Sequence, residues 1–293
     1  MSFYHLAATK DVHGLFEMKE MRWNVDIQNS ITRKLINETH GIFLDLQELG
    51  IIDRNQEKTE YVKISHCYRS IIQSCIIELK NQLNVEQNKD MLTSMETQLD
   101  LLGIIEMIWH LCEILLIDSK PGGYCLSQLV EWVKSHFTEA DRSAQIVMSW
   151  EDPYSHPEYW STIYSFIMQG RLTEAATLLT HHPSRDQARF DEFASIDELL
   201  KKMPTFQVYK GQSVNEFISK WKQWQQECSR RLKDGDFSRY PELERICEIL
   251  TGQESALERN RDLCKSWYQL MVAKLLFTDP AVTVFNLKKH AVV

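Results

Sequence analysis

Glycine and proline are scarce in this sequence, at ten and seven of 293 residues, about half the usual share of each. Interior glycine costs a helix about 1 kcal/mol relative to alanine, and interior proline about 3. Sheet-rich folds need both residues at their many turns. A chain this poor in the two can sustain many long helices, and the expected class is all-α. Its 43% hydrophobic and 25% charged residues are those of a soluble chain of one or two domains with a sizeable core, which excludes disordered and collagen-like states.

The 33 basic and 41 acidic residues leave a net charge of −8, which repels nucleic acid and anionic lipid unless a local basic patch outweighs it. The densest basic stretches, Arg230, Arg231 and Lys233, then Lys288 and Lys289, sit beside acidic or apolar residues and read as solvated helix faces. No nucleic-acid partner is expected. Seven widely spaced cysteines without a C-x-x-C pair indicate a reduced, intracellular chain, and the first residues lack the pattern of a secretory signal. The longest apolar run, residues 101–117, carries Glu106, His110 and Glu113. At about 2.5 to 3.5 kcal/mol per central charge, it would insert poorly into lipid. It is expected as a buried helix, with no direct membrane insertion.

Residues 1–29 show no sustained period and stay unassigned; residues 30–293 read as one helical trunk. Apolar stripes predict helices over 30–50 (Ile31, Leu35, Ile36, Ile42, Phe43, Leu46, Leu49), 60–83 and 93–117. Others follow over 126–137, from Tyr159 to Gly170 and from Leu172 to His182. Four more end near Met203, Leu232, Gly252 and Asp279, and the final residues are ambiguous. Ser or Thr three residues before Glu marks starts at Thr93, Ser155, Ser195, Ser213 and Ser255, because the hydroxyl can accept from an orphan helix N–H. The words YWSTIYSFIM and LTEAATLL, joined at Gly170, form a helix hairpin, the unit of an α-solenoid. The expected architecture is an irregular α-solenoid of about ten or eleven antiparallel helices.

Local catalytic signatures such as G-x-S-x-G, a Walker A loop, G-x-G-x-x-G and H-E-x-x-H are absent from the sequence, and no enzyme activity is expected. Glu106, His110 and Glu113 share one helix face and could ligate a divalent ion, but three groups on one helix need further ligands. The preferred reading is a polar stripe on a buried helix. His181 and His182 read as donors to free carbonyls at a helix C-terminus. Cys67, beside His66, lies on the apolar stripe and reads as a buried structural thiol. Trp109, Trp132, Trp160, Trp221 and Trp267 sit on or beside core stripes, whereas Trp150 and Trp224 are the ones to check for exposure. No catalytic, cofactor or metal residue is assigned, and no partner-binding residue is named, because solenoid interfaces use ordinary surface residues.

Three early words, RKLINETHGIFLDLQ (33–47), YRSIIQSCIIEL (68–79) and IEMIWHLCEILLID (105–118), resemble the nucleoporin eighty-five family, the short-arm subunits of the Y-shaped outer-ring complex of nuclear pores. The hairpin words, KWKQWQQEC (220–228) and KSWYQLMVAKLLFTDPAV (265–282) follow in the same order. The resemblance runs over residues 31–289. It implies an ancestral-coatomer-element solenoid and a structural scaffold at the nuclear pore complex of the nuclear envelope. Pore assembly, mRNA export and nucleocytoplasmic transport are the implied roles, with no cofactor. The implied partners are the other outer-ring nucleoporins, including a WD-repeat propeller subunit, although residues 1–29 do not read as the β blade that completes that propeller. Family chains continue past the point matching Lys289, so a truncated or alternatively spliced form is expected. A general helical adaptor in a vesicle coat or signalling complex is the alternative.

Overall fold

A computed structural model describes residues 29–49, 57–118, 123–185, 191–205, 213–287 and 289–290. Residues 1–28 of the unassigned segment 1–29 and the expected stop at Gly50 lie outside them. The described residues are all-α, with one isolated bridge pair and no strand. The chain divides into two compact units, residues 1–121 and 122–293.

Unit 1 holds α1 (Ser30–Leu49), α2 (Glu57–Leu83) and α3 (Lys89–Cys112), the last running on into a π turn, Glu113–Ile117. Asn29 opens α1, its side-chain oxygen accepting from the N–H groups of Ile31 and Thr32. Lys34 reaches Ser74 and Glu78 late in α2, while Leu46 shares a recess with Tyr61 and Ile64 early in α2, so the two helices are antiparallel. Ile31, Ile72, Cys75, Leu79, Met95 and Leu102 form the core. The α1 stripe is only partly used: Ile36 and Phe43 remain 46% and 45% exposed, because α2 covers one side of that helix.

Unit 2 begins with α4 (Leu126–His136), α5 (Glu139–Met148), α6 (Tyr159–Met168), α7 (Leu172–Leu179) and α8 (Glu192–Lys202). It continues through α9 (Val214–Lys233), α10 (Pro241–Leu250), α11 (Glu254–Arg259), α12 (Trp267–Thr278) and α13 (Val284–Leu287). The α6–α7 hairpin forms as the sequence predicts. Gly170 turns the chain at φ +70°, and Tyr159 Oη donates 2.9 Å to the Leu178 carbonyl, which sets the start of α6 against the end of α7. Tyr159, Ile163, Ile167, Leu179, Phe193, Ile196 and Leu250 are among the fully buried residues of one continuous core. Arg171 grips Asp141 through two 2.6 Å hydrogen bonds and ties the hairpin to α5. Residues 123–125 pair with residues 282–284: Cys125 N–H donates to the Val282 carbonyl, Val284 N–H to the Gly123 carbonyl, and Tyr124 faces Thr283 across an antiparallel bridge.

Several expected helix starts move. Helix α3 begins at Lys89, capped by Asn88, and Thr93 turns its hydroxyl back onto the Lys89 carbonyl at 3.1 Å. Ser195 lies inside α8, which Asp191 caps; Ser155 bonds back to the Asp152 carbonyl in a 3-10 turn. Ser213 is the N-cap of α9, which starts at Val214 as expected, though without a side-chain capping bond, and Ser255 lies inside α11. A serine inside a helix satisfies its hydroxyl on an upstream carbonyl, so the S/T-x-x-E spacing alone does not fix a start. Helix α5 has no counterpart among the expected elements, and the expected last helix divides into α11 and α12.

Candidate functional site

The polar stripe of α3 is a buried ionic cluster. Glu106 and Glu113 are 6% and 3% exposed and face Ser65, Arg69 and Gln73 on α2. Gln73 Nε2 donates to Glu106 Oε1 at 2.7 Å and Ser65 Oγ to Glu113 Oε1 at 2.8 Å. Arg69 supplies the cation, its Nε 2.5 Å from Glu113 Oε2 and its Nη1 3.6 Å from Glu106 Oε1. The first of these is an ion-pair contact without hydrogen-bond alignment. Trp109 Nε1 adds a bond to Ser65 Oγ at 3.0 Å. Partner positions descend along α3 as they ascend along α2, so these helices are also antiparallel. Burial, then the Arg69 charge, holds the His110 pKa below its usual value, against the opposing pull of Glu106 and Glu113. Both carboxylates are thus engaged with α2, and the cluster staples the two helices together.

The remaining sequence candidates take structural places. His182 lies in an aromatic cluster, stacked on Phe193 at 4.4 Å between ring centroids and close to Trp160 and Tyr159. Its Nδ1 accepts from the Ser184 N–H. This half-buried side chain packs among aromatic rings, in place of the expected contact with helix-end carbonyls, and burial lowers its pKa. Cys67 and His66 are both exposed, so the expectation of a buried Cys67 thiol is corrected. The cause is the rotation of α2, which turns Cys75 and Leu79 inward. Burial pushes the thiols of Cys125 up to about 11 and of Cys228 and Cys264 up to about 12, which makes them poor nucleophiles. Trp150 is 49% exposed, as is Trp267 to a similar degree at 51%, against its expected core placement at the start of α12. Trp224 is buried and donates to the Leu199 carbonyl at 2.9 Å. Arg230 and Arg231 are paired with Glu227, Asp234 and Glu198, and the two guanidiniums hold the Glu227 pKa down at about 2.

Sequence reasoning misses a cleft of about 460 Å³ in unit 2. Its walls come from α4, the α6–α7 turn, the end of α8, the start of α9 and Leu276 on α12. The lining comes as separate short stretches, such as Leu126 with Val130, 170–174, 203–205 and Phe217 with Trp221, and each looks like ordinary helix or turn sequence by itself. Among the described residues, no helix is long and apolar enough to cross a membrane.

A family model described as Nup85 Nucleoporin matches residues 17–292. The chain is 37% identical over 272 residues to nuclear pore complex protein Nup85 of Danio rerio, covering 92% of this chain and 42% of that protein. It is 33% identical, with the same coverage, to nuclear pore complex protein Nup85 of Homo sapiens. Nuclear pore complex protein Nup75 of Drosophila melanogaster is 29% identical over 262 residues, 88% of this chain and 38% of that protein. The chain therefore spans about two fifths of the length of these relatives.

Proposed function

The chain belongs to the Nup85 nucleoporin family, and from that membership we propose that it is a structural, non-enzymatic scaffold subunit of the outer-ring Y-complex at the nuclear pore. In this role it supports pore assembly, mRNA export and nucleocytoplasmic transport, and its partners are other outer-ring nucleoporins, a WD-repeat propeller subunit among them. The carrying observation is the match over residues 17–292. The reading of residues 30–293 as a single trunk is part of the proposal.

The chemistry of the described residues supports it. The conspicuous polar cluster, Glu106 and Glu113 with Arg69, is spent on helix packing. Exposed apolar side chains such as Ile36, Phe43, Ile108 and Phe285 give helix surfaces that can contribute binding energy in small increments, as repeat scaffolds do. Affinity purification of the tagged chain from cells, with imaging of the same tag, tests the reading. Recovery of outer-ring subunits and a nuclear-rim signal are expected. Recovery of endomembrane coat subunits alone, with no rim signal, would replace the reading with that of a vesicle-coat adaptor.

A further inference from the structure

Helix α1 carries a second stripe beside the one that packs on α2. Arg33, Ile36, His40, Phe43 and Gln47 follow one another at intervals of three and four residues, and all five are exposed; this is the spacing by which one helix presents a seam to another. Ile36, Phe43 and the adjoining Leu44 are 46%, 45% and 51% exposed, three large apolar side chains on the part of the helix that α2 leaves open. Arg33 lies in the first turn of α1 and Glu48 in the last. Both side chains are exposed, and among the described residues no ion pair or hydrogen bond engages either of them. A cation at the start of a helix and an anion at its end both oppose the helix dipole, so neither charge is placed to the benefit of α1 itself.

The complement to this surface is the surface itself, reversed. Let a second copy of α1 cross the first antiparallel, with the centre between His40 and Gly41. Arg33 and Glu48 then lie about 11 Å along the axis on either side of that centre, at 1.5 Å per residue, and each Arg33 is level with Glu48 of the other copy. The same crossing sets Asn37 against Leu44 and brings Ile36 within one turn of Phe43 of the other copy, which covers the apolar middle. It also lays the N-terminal end of each helix beside the C-terminal end of its twin, where the dipoles attract. A parallel crossing would instead set Arg33 against Arg33 and Glu48 against Glu48. A surface that completes itself in this way makes a closed two-fold contact. We propose that α1 is a self-association surface, through which two copies of this chain pair by antiparallel packing of Ile36, Phe43 and Leu44, with an Arg33–Glu48 ion pair at each end. The pairing follows from the geometry of α1 and does not rest on the pore assignment.

One helix pair makes a contact at the weak end of specific interfaces, so the full chain is followed by sedimentation velocity at pH 7.5 from about 5 to 500 μM. A concentration-dependent shift from 34.5 kDa to twice that mass is expected. Phe43→Ser, at an exposed position, should abolish it, and Ile36→Ser serves in its place if that variant fails to fold. Arg33→Glu and Glu48→Arg should each weaken the dimer at least about tenfold, because each turns two attractive contacts into repulsive ones. Mixed in equal amounts, these two charge variants should regain the dimer, since every end contact between unlike variants again joins opposite charges. The proposal is overturned if the chain stays monomeric throughout or associates beyond the dimer. It is also overturned if Arg33→Glu or the serine variant dimerises as tightly as the parent, or if the mixed charge variants stay as monomeric as each alone.

Discussion

His182 is a titratable ring whose half-buried aromatic setting favours its neutral form. Burial lowers its pKa, with a smaller opposing pull from Glu242, so the unfolded chain binds the proton more readily than the folded one. Its contribution to stability is complete above about pH 6.5, the usual imidazole value, and is lost as pH falls below that through the lowered value. Burial shifts His110 in the same direction. Urea midpoints should therefore fall from pH 7.5 to pH 5.5, and His182→Phe, which keeps the stack on Phe193, should flatten part of that fall; an equally steep fall in the variant would exclude the mechanism. Arg69 poses the opposite case, a cation needed by two buried carboxylates. Arg69→Met should cost about 3 to 5 kcal/mol, because it leaves buried charge without a counter-ion. Adding Glu106→Gln and Glu113→Gln should recover most of the loss in the same unfolding assay. The thiols make a third residue-scale expectation: in native protein an aromatic disulfide reagent should label exposed Cys67 first and half-buried Cys112 more slowly, with the other five reacting only on denaturation.

Helix ends show what separates a punctuating glycine from an incidental one. Gly252 ends α10 at φ +71°, and a Cβ there would lie 2.4 Å from the Phe277 carbonyl oxygen, on backbone that Gln225 also holds through bonds to Thr251 and Phe277. Gly103, inside α3, would place a Cβ in open space. Calorimetry should find Gly252→Ala destabilising by about 3 kcal/mol, from strain together with the clash, and Gly103→Ala stabilising by about 0.5 to 1 kcal/mol. The helices were legible in the sequence for the same reasons: an apolar period marked their bodies, and Gly170, Pro183, Pro204, Gly252 and Pro280 marked their ends. Helix α5 was not, since it buries only Ala140 and Val147 and shows too little stripe to read. Trp267 was misplaced because period alone cannot tell whether the first turn of a helix lies against a neighbour. The cleft was invisible because its walls come from five places whose meeting is a tertiary event, while the cluster on α3 was visible as a polar stripe although its partners on α2 were not.

At the scale of the whole chain, the two units each have a core of their own, and unit 2 depends on its last turn. Val282 and Leu287 are 1% and 8% exposed, so deleting residues 282–293 removes these buried side chains together with the bonds to residues 123–125. Unfolding of the shortened chain should show a loss of about 4 kcal/mol, on the scale of burying two aliphatic side chains; an unchanged transition would mean that this segment is an ornament. The pairing of these two segments also has a mechanical side. Because Tyr124 and Thr283 pair across an antiparallel bridge, with the Val284 N–H bonded to the Gly123 carbonyl beside it, residues 123–125 and 282–284 of unit 2 lie together at one edge. Traction applied to the two ends would peel that clasp apart bond by bond before any load reached the helices between them, so the unit gives way first at its catch and keeps its body folded until the catch is open.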